Sequence, residues 1–160
     1  MDRSIAKLEP DSEAKKLERW NKIAKEAATQ SGRQKIPLVE HSVKFKNIIE
    51  NIEKYDILLL LYEGEQTLTL KKALQTAKLK HNIRSIAVII GPEGGLSEEE
   101  VGLLSNYDNV LKVTLGKRIL RTETAGFSAV SMIVYEFDLW LLYSNCKLER
   151  LDFNELSRKK

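Results

Sequence analysis

The chain has a single cysteine, Cys146, so no disulfide can close within it, and a reducing, cytoplasmic setting fits that usage. It has two histidines, His41 and His81. Neither stands in a motif, and both read as surface residues. His, Cys, Asp and Glu do not cluster at ligand spacing, so no metal is expected. No apolar run reaches the roughly eighteen residues that a membrane-crossing helix needs. The first residues carry Asp2, Arg3 and Lys7 without an apolar stretch, which excludes a secretory signal there. A surplus of one charge is also missing. Twenty-six Lys and Arg face 23 Asp and Glu, for a net +3. That is less basic than a dedicated nucleic-acid module. An RNA partner would have to be attracted by local clusters, such as Arg33 with Lys35, or Lys117 with Arg118 and Arg121. There is no internal repeat, low-complexity segment or linker.

What is present reads as one α/β domain over residues 1–146, followed by a charged tail at 147–160 that reads as a frayed terminus. Asp11 and Ser12 are placed to cap a helix whose face carries Leu17, Trp20, Ala24, Ala27 and Ala28, with Gly32 ending it. Ile36-Pro37-Leu38-Val39-Glu40 is a short strand candidate, with Pro37 favouring its start or an edge. Val43, Ile48, Ile49 and Ile52 suggest a second, weaker helix. The apolar runs at 56–62 and 85–90 read as strands covered on both faces, as in a parallel sheet. Leu70, Ala73, Leu74 and Ala77 mark a helix between them. Ser97 and Glu100 form a capping-box pattern. Residues 110–115 read as a further strand, and Thr122 as the cap of a long apolar helix over 122–143. A helix this apolar is central or packs on another subunit. The alternation of strand and helix argues a mostly parallel sheet flanked by helices.

Ligands of open α/β sheets bind at the carboxyl ends of the strands. Two loops here occupy such ends. The first is Gly91-Pro92-Glu93-Gly94-Gly95. Gly94 and Gly95 can take positive φ and let backbone approach a ligand, Pro92 stiffens the turn, and Glu93 offers an acceptor. The same residues also suit a plain tight turn with a solvated Glu93. It is not a phosphate loop, because no Gly-Lys-Ser/Thr follows, and it lacks the dinucleotide spacing. The second loop runs from Leu115 and Gly116 through Lys117, Arg118, Ile119, Leu120 and Arg121 to Thr122, Glu123, Thr124 and Ala125. Ile119 and Leu120 are apolar where loops are usually polar. They either wall a pocket for a flat group or plug the core. Arg121 beside a helix start suits an anion, unless it and Arg118 are simply solvated.

Taken together, these segments resemble one family. Gly91-Pro92-Glu93-Gly94-Gly95, then Ser97-Glu98-Glu99-Glu100, then Leu115-Gly116-x-Arg118-Ile119-Leu120-Arg121-Thr122-Glu123-Thr124-Ala125 occur in that order. The upstream stretch from Glu18-Arg19-Trp20 to Ile36-Pro37 fits the same pattern. The chain is similar to the RsmE-type uridine-N3 methyltransferases of small-subunit (16S) ribosomal RNA, in the SPOUT superfamily. The resemblance implies S-adenosyl-L-methionine as cofactor, a C-terminal trefoil knot and a homodimer with active sites at the subunit interface. It implies that Leu61, Tyr62, Gly91, Pro92, Glu93, Gly94, Gly95, Leu115, Gly116, Ile119 and Leu120 receive the cofactor. The family normally carries an N-terminal barrel and a first strand and helix that this sequence lacks. The domain over 1–146 is therefore expected to be an N-terminally truncated SPOUT domain.

The expected reaction is methyl transfer to N3 of a uridine in ribosomal RNA. Arg121 would stabilise negative charge developing on the base. Glu123 would either accept the proton or orient Arg121. Arg33 and Arg118 are the candidate RNA contacts. Two other readings stand beside this one. The first is a partial dimeric module that binds cofactor or RNA without turnover. The second is an α/β domain whose glycine loops are only turns.

Overall fold

The computed structural model describes residues 10–79 and 83–137. They belong to two compact units, residues 10–43 and residues 44–137. The tail at 147–160, and the part of the long C-terminal helix expected beyond Phe137, lie outside the described residues.

In the first unit, helix α1 spans Pro10–Gln30. Asp11 and Ser12, expected to cap it, are helical residues within that span. Gly32 ends the helix as expected, with φ +67°. The Arg33 N–H donates to the Ala28 carbonyl at 2.9 Å and the Gly32 N–H to Thr29 at 3.2 Å. These paired bonds satisfy carbonyls that the helix end would otherwise leave open. The strand expected at 36–40 does not form; the segment belongs to no sheet. Side chains of α1 bond the backbone at Val39 and Ser42. The Asn21 amide bridges Val39, donating to its carbonyl at 3.0 Å and accepting from its N–H at 3.0 Å. Glu13 accepts from the Ser42 N–H at 2.6 Å and from its hydroxyl at 2.7 Å.

The second unit is an α/β sandwich. Helix α2 (Phe45–Ile49) and a 3-10 turn (Ile52–Lys54) lead into strand β1 (Ile57–Leu61). Then come α3 (Leu70–Leu79), β2 (Ile86–Ile90), α4 (Glu98–Ser105), β3 (Val110–Val113) and α5 (Thr122–Glu136). The three strands form one parallel sheet in the order β2-β1-β3, with Leu59 opposite Val88 on one side and Leu111 on the other. β1 is central, and Leu58, Leu59 and Leu60 are all fully buried. Alternation along β1 sends these leucines to opposite faces. Leu59 joins Leu74 of α3 and Ile133 of α5 in one core. Leu58 and Leu60 join Ile48, Ile52, Val101 and Leu104 in the other. Each leucine contributes about 1.5–3 kcal/mol of burial, which explains why the run carries no polar residue.

Two consequences place the site. The chain leaves β1 for α3 on one face and leaves β2 for α4 on the other. Neighbouring strands thus part at their carboxyl ends and open a crevice. The α4 start is fixed by the predicted capping box. The Glu100 N–H donates to Ser97 Oγ at 3.2 Å, and the Ser97 N–H donates to Glu100 Oε2 at 2.9 Å. At α5 the expectation fails. Arg121, not Thr122, is the cap residue, and its side chain makes no capping bond. Thr122 is the first helical residue, and its hydroxyl reaches the Gly91 carbonyl at 3.4 Å.

Candidate functional site

A cavity of about 760 Å³ lies at the carboxyl ends of the three strands. That volume is within the usual range for small-molecule sites. β1 and its following loop supply Leu61, Tyr62, Glu63, Glu65, Gln66 and Thr69. β2 supplies Ile90, Gly91, Pro92 and Glu93. β3 and the second loop supply Val113, Thr114 and the run from Leu115 to Thr122, with Ala125 behind them. Most of the residues expected from the sequence thus share one wall, and Arg118 and Arg121 join them.

Some do not. Gly94, Gly95 and Glu123 are not part of the lining. Gly95 shapes the turn: φ is +70°, and its N–H donates to the Pro92 carbonyl at 2.8 Å. Glu63 Oε1 would sit 2.9 Å from a Cβ at Gly95. A side chain at Gly91 would meet the Leu96 nitrogen at 3.2 Å. Gly91 therefore lets the loop close on itself at Gly95 and Leu96, and Gly95 leaves room for the Glu63 side chain of the β1 loop. Glu123 is exposed in the first turn of α5. Arg33 is exposed and belongs to the other compact unit.

Ile119 does not plug the core, because it is 81% exposed. Leu120 is half-buried, while Arg118 and Arg121 are exposed. The pattern is that of a rim: apolar side chains and guanidinium groups stand around an opening, with Leu61 and Leu115 deeper inside. Gly116, three residues past the end of β3, takes φ +127°. This conformation is open to glycine and turns the backbone sharply into the second loop.

Several lining residues carry no motif that sequence reasoning recognised: Glu63, Glu65, Gln66, Thr69 and Thr114. The signal available was local. Glu65 accepts at Oε1 from the Thr67 hydroxyl at 2.5 Å, the Thr67 N–H at 2.7 Å and the Leu68 N–H at 3.0 Å. An acidic residue followed two positions later by Thr can always make such a turn. The Thr67 hydroxyl, then the Leu68 and Thr67 amides, hold the Glu65 carboxyl down at about 2. Thr69 caps α3, accepting from the Lys72 N–H at 3.3 Å.

Among the described residues, no group of three or more His, Cys, Asp or Glu is placed to hold a metal ion. None of their helices is long and apolar enough to cross a membrane.

Residues 1–134 match the RNA methyltransferase domain family. The ribosomal RNA small subunit methyltransferase E of Bacillus subtilis is 39% identical over 140 residues, covering 86% of this chain and 54% of that protein. A Legionella pneumophila methyltransferase solved with bound S-adenosylmethionine superposes with a TM-score of 0.71 at 31% identity, over 84% of this chain and 52% of that one. A Neisseria gonorrhoeae ribosomal RNA small subunit methyltransferase E, also bound to S-adenosylmethionine, gives 0.60 at 31% identity, over 77% and 48%. The chain spans about half the length of the curated relatives it matches. With residues 1–134 matched, the chain belongs to the RNA methyltransferase domain family.

Proposed function

We propose that this chain transfers a methyl group from S-adenosylmethionine to N3 of a uridine in small-subunit ribosomal RNA. The observation that carries the reading is the single cavity shared by both motif loops. Its residues suit the cofactor. Leu61, Leu115 and Leu120 offer apolar walls to a purine, and the sharp backbone turn at Gly116 brings peptide groups to its edge. Tyr62, Gly91 and Pro92 would close the opposite side. Gly94 and Gly95 would act by shaping their loop. Glu63 and Glu93 place carboxylates on a wall that would face a cationic ligand. When bound, the cofactor supplies an electrophilic methyl group on a sulfonium.

The chain's own residues would do the rest. Holding the base in line with the methyl group turns an encounter into a local event. Arg121, at the α5 start and on the cavity wall, would stabilise negative charge on the uracil as its N3 proton passes to solvent water. Of the two roles open to Glu123, orienting Arg121 suits its place outside the lining better than accepting the proton. Arg118 on the rim and Arg33 would contact RNA phosphate.

A homodimer accords with the exposed apolar side chains of α5, Phe127 and Tyr135, each 76% exposed. The C-terminal trefoil knot and the assignment of residues 1–146 to one SPOUT domain rest on the family resemblance. The place of action would be the cytoplasm, where ribosomal RNA is.

The test is uptake of labelled methyl groups by small-subunit ribosomal RNA, with wild type and Arg121→Ala. The variant should turn over roughly a hundredfold or more slowly, while affinity for S-adenosylhomocysteine stays within about threefold, less than the tenfold that 1.4 kcal/mol represents. Unchanged turnover would remove Arg121 from the mechanism. Cofactor binding without methyl uptake in the wild type would favour the reading as a binding module.

A further inference from the structure

Glu65 lies on the cavity wall, yet its carboxylate is turned towards its own loop. Three donors converge on one oxygen: the Thr67 hydroxyl, the Thr67 N–H and the Leu68 N–H. The set is a local turn motif. The bonds fix the backbone at 65–68, and that backbone has a second task. The Leu68 carbonyl accepts from the Thr114 N–H at 2.9 Å, and the Leu70 N–H donates to the Thr114 carbonyl at 3.0 Å. Thr69 and Thr114 thus form a parallel bridge beyond the end of the sheet. Thr114 passes the constraint on. Its hydroxyl oxygen accepts from the Gly116 N–H at 3.2 Å and lies 3.2 Å from the Gly116 carbonyl, to which it donates. Gly116 is the positive-φ residue that lines the cavity.

We propose that Glu65 is a positioning residue that sets the Gly116 turn through Leu68 and Thr114. It touches neither cofactor nor base. Its charged carboxylate keeps the β1 loop in the one shape that brackets Thr114, and Thr114 then presents the Gly116 peptides to the cavity. The proposal rests on the cofactor reading of that cavity for its consequence, but not for its geometry. Hydrogen bonds to a charged acceptor are about twice as strong as those to a neutral one. Glu65→Gln, which keeps an acceptor and removes the charge, therefore loosens the relay without changing its size.

Two measurements on the full chain at one fixed pH test this: amide hydrogen exchange by NMR and calorimetric titration with S-adenosylhomocysteine. In Glu65→Gln, exchange at Thr67, Leu68 and also Gly116 should accelerate about tenfold, with the dissociation constant rising about tenfold. Thr114→Val should produce the Gly116 and affinity effects with Thr67 unaffected, and Thr114→Ser should restore both. Acceleration confined to Thr67 and Leu68, with Gly116 and affinity unchanged, would overturn the proposal. If Glu65→Gln does not fold, Thr67→Val removes one donor and should give the same pattern at smaller size; an unmoved Gly116 would again overturn it. If the wild type binds no S-adenosylhomocysteine, the cofactor reading falls. The exchange rate at Gly116 in the variants still decides whether the relay exists.

Discussion

Single residues decide the shape of the cavity mouth, and two of them make their effects measurable. Gly95 holds φ +70°, with Glu63 Oε1 2.9 Å from where a Cβ would stand. In Gly95→Ala the Glu63 carboxylate can swing aside, so the backbone conformation decides the cost. The left-handed backbone conformation alone costs an alanine about 1–2 kcal/mol, and urea denaturation should show at least that loss. An unchanged midpoint would mean the loop does not hold this conformation. Glu65 gives a pH signature. Its carboxyl is held at about 2 in the fold against an ordinary 4.5. A group whose pKa is lowered by folding stabilises the fold above its unfolded value, and that contribution is lost as pH falls through the folded one. Wild type should therefore be more stable than Glu65→Gln at pH 7. The gap should begin to close below about 4.5 and be nearly gone towards 2, as followed by urea midpoints at successive pH values. A gap that stays constant from pH 7 to 3 would show that the carboxylate does not make these bonds. The Gly91–Gly95 segment could be read from sequence as a turn, with Gly95 at positive φ, because glycine alone takes that conformation freely. Glu65 could not, because Glu-x-Thr is common in solvated loops and only the fold shows that Thr114 lies next to this one.

At the scale of elements, β1, β2 and the α4 capping box were legible because each is specified locally. An apolar run without polar interruption needs cover on both faces, and Ser97 with Glu100 satisfies a helix end within four residues. Ile36–Val39 shows where local reading stops. Those residues suit a strand, but a strand requires a backbone partner, and the amide of Asn21 takes that place. Thr122 shows the same limit: its hydroxyl serves Gly91 rather than its own helix. Helix α5 was read as apolar enough to be buried or to meet another subunit. In the described part Ala129 and Ile133 are fully buried, while Phe127, Met132 and Tyr135 are exposed. If the exposed face is the dimer contact, Phe127→Glu should place a charge where water is excluded and shift the chain to a monomer by sedimentation velocity. A wild type that is monomeric at tens of micromolar, or a variant that stays dimeric, would place the contact elsewhere.

For the molecule as a whole, the strand order β2-β1-β3 does what no loop can do alone. The connections leave neighbouring strands for opposite faces, and the loops after β1, β2 and β3 are thereby gathered around one opening. The sequence displayed two of those loops through their motifs; of the third, the resemblance implied only Leu61 and Tyr62, and Glu63, Glu65 and Thr69 came with the sheet order. A site assembled from three separate connections couples binding to the stability of the sheet that gathers them. Because a ligand that binds only the folded state stabilises it by mass action, S-adenosylhomocysteine at a hundredfold over its dissociation constant should contribute about 2.7 kcal/mol. For a chain of this size that corresponds to a rise in Tm of roughly 5 to 10 °C. Gly95→Ala should lower both the starting Tm and the rise, since the same turn serves fold and cavity, whereas Arg121→Ala should leave the rise intact, since its proposed work is on the base. A thermal shift absent in the wild type would count against the cofactor reading. A rise abolished by Arg121→Ala would move that residue from the chemistry to cofactor binding.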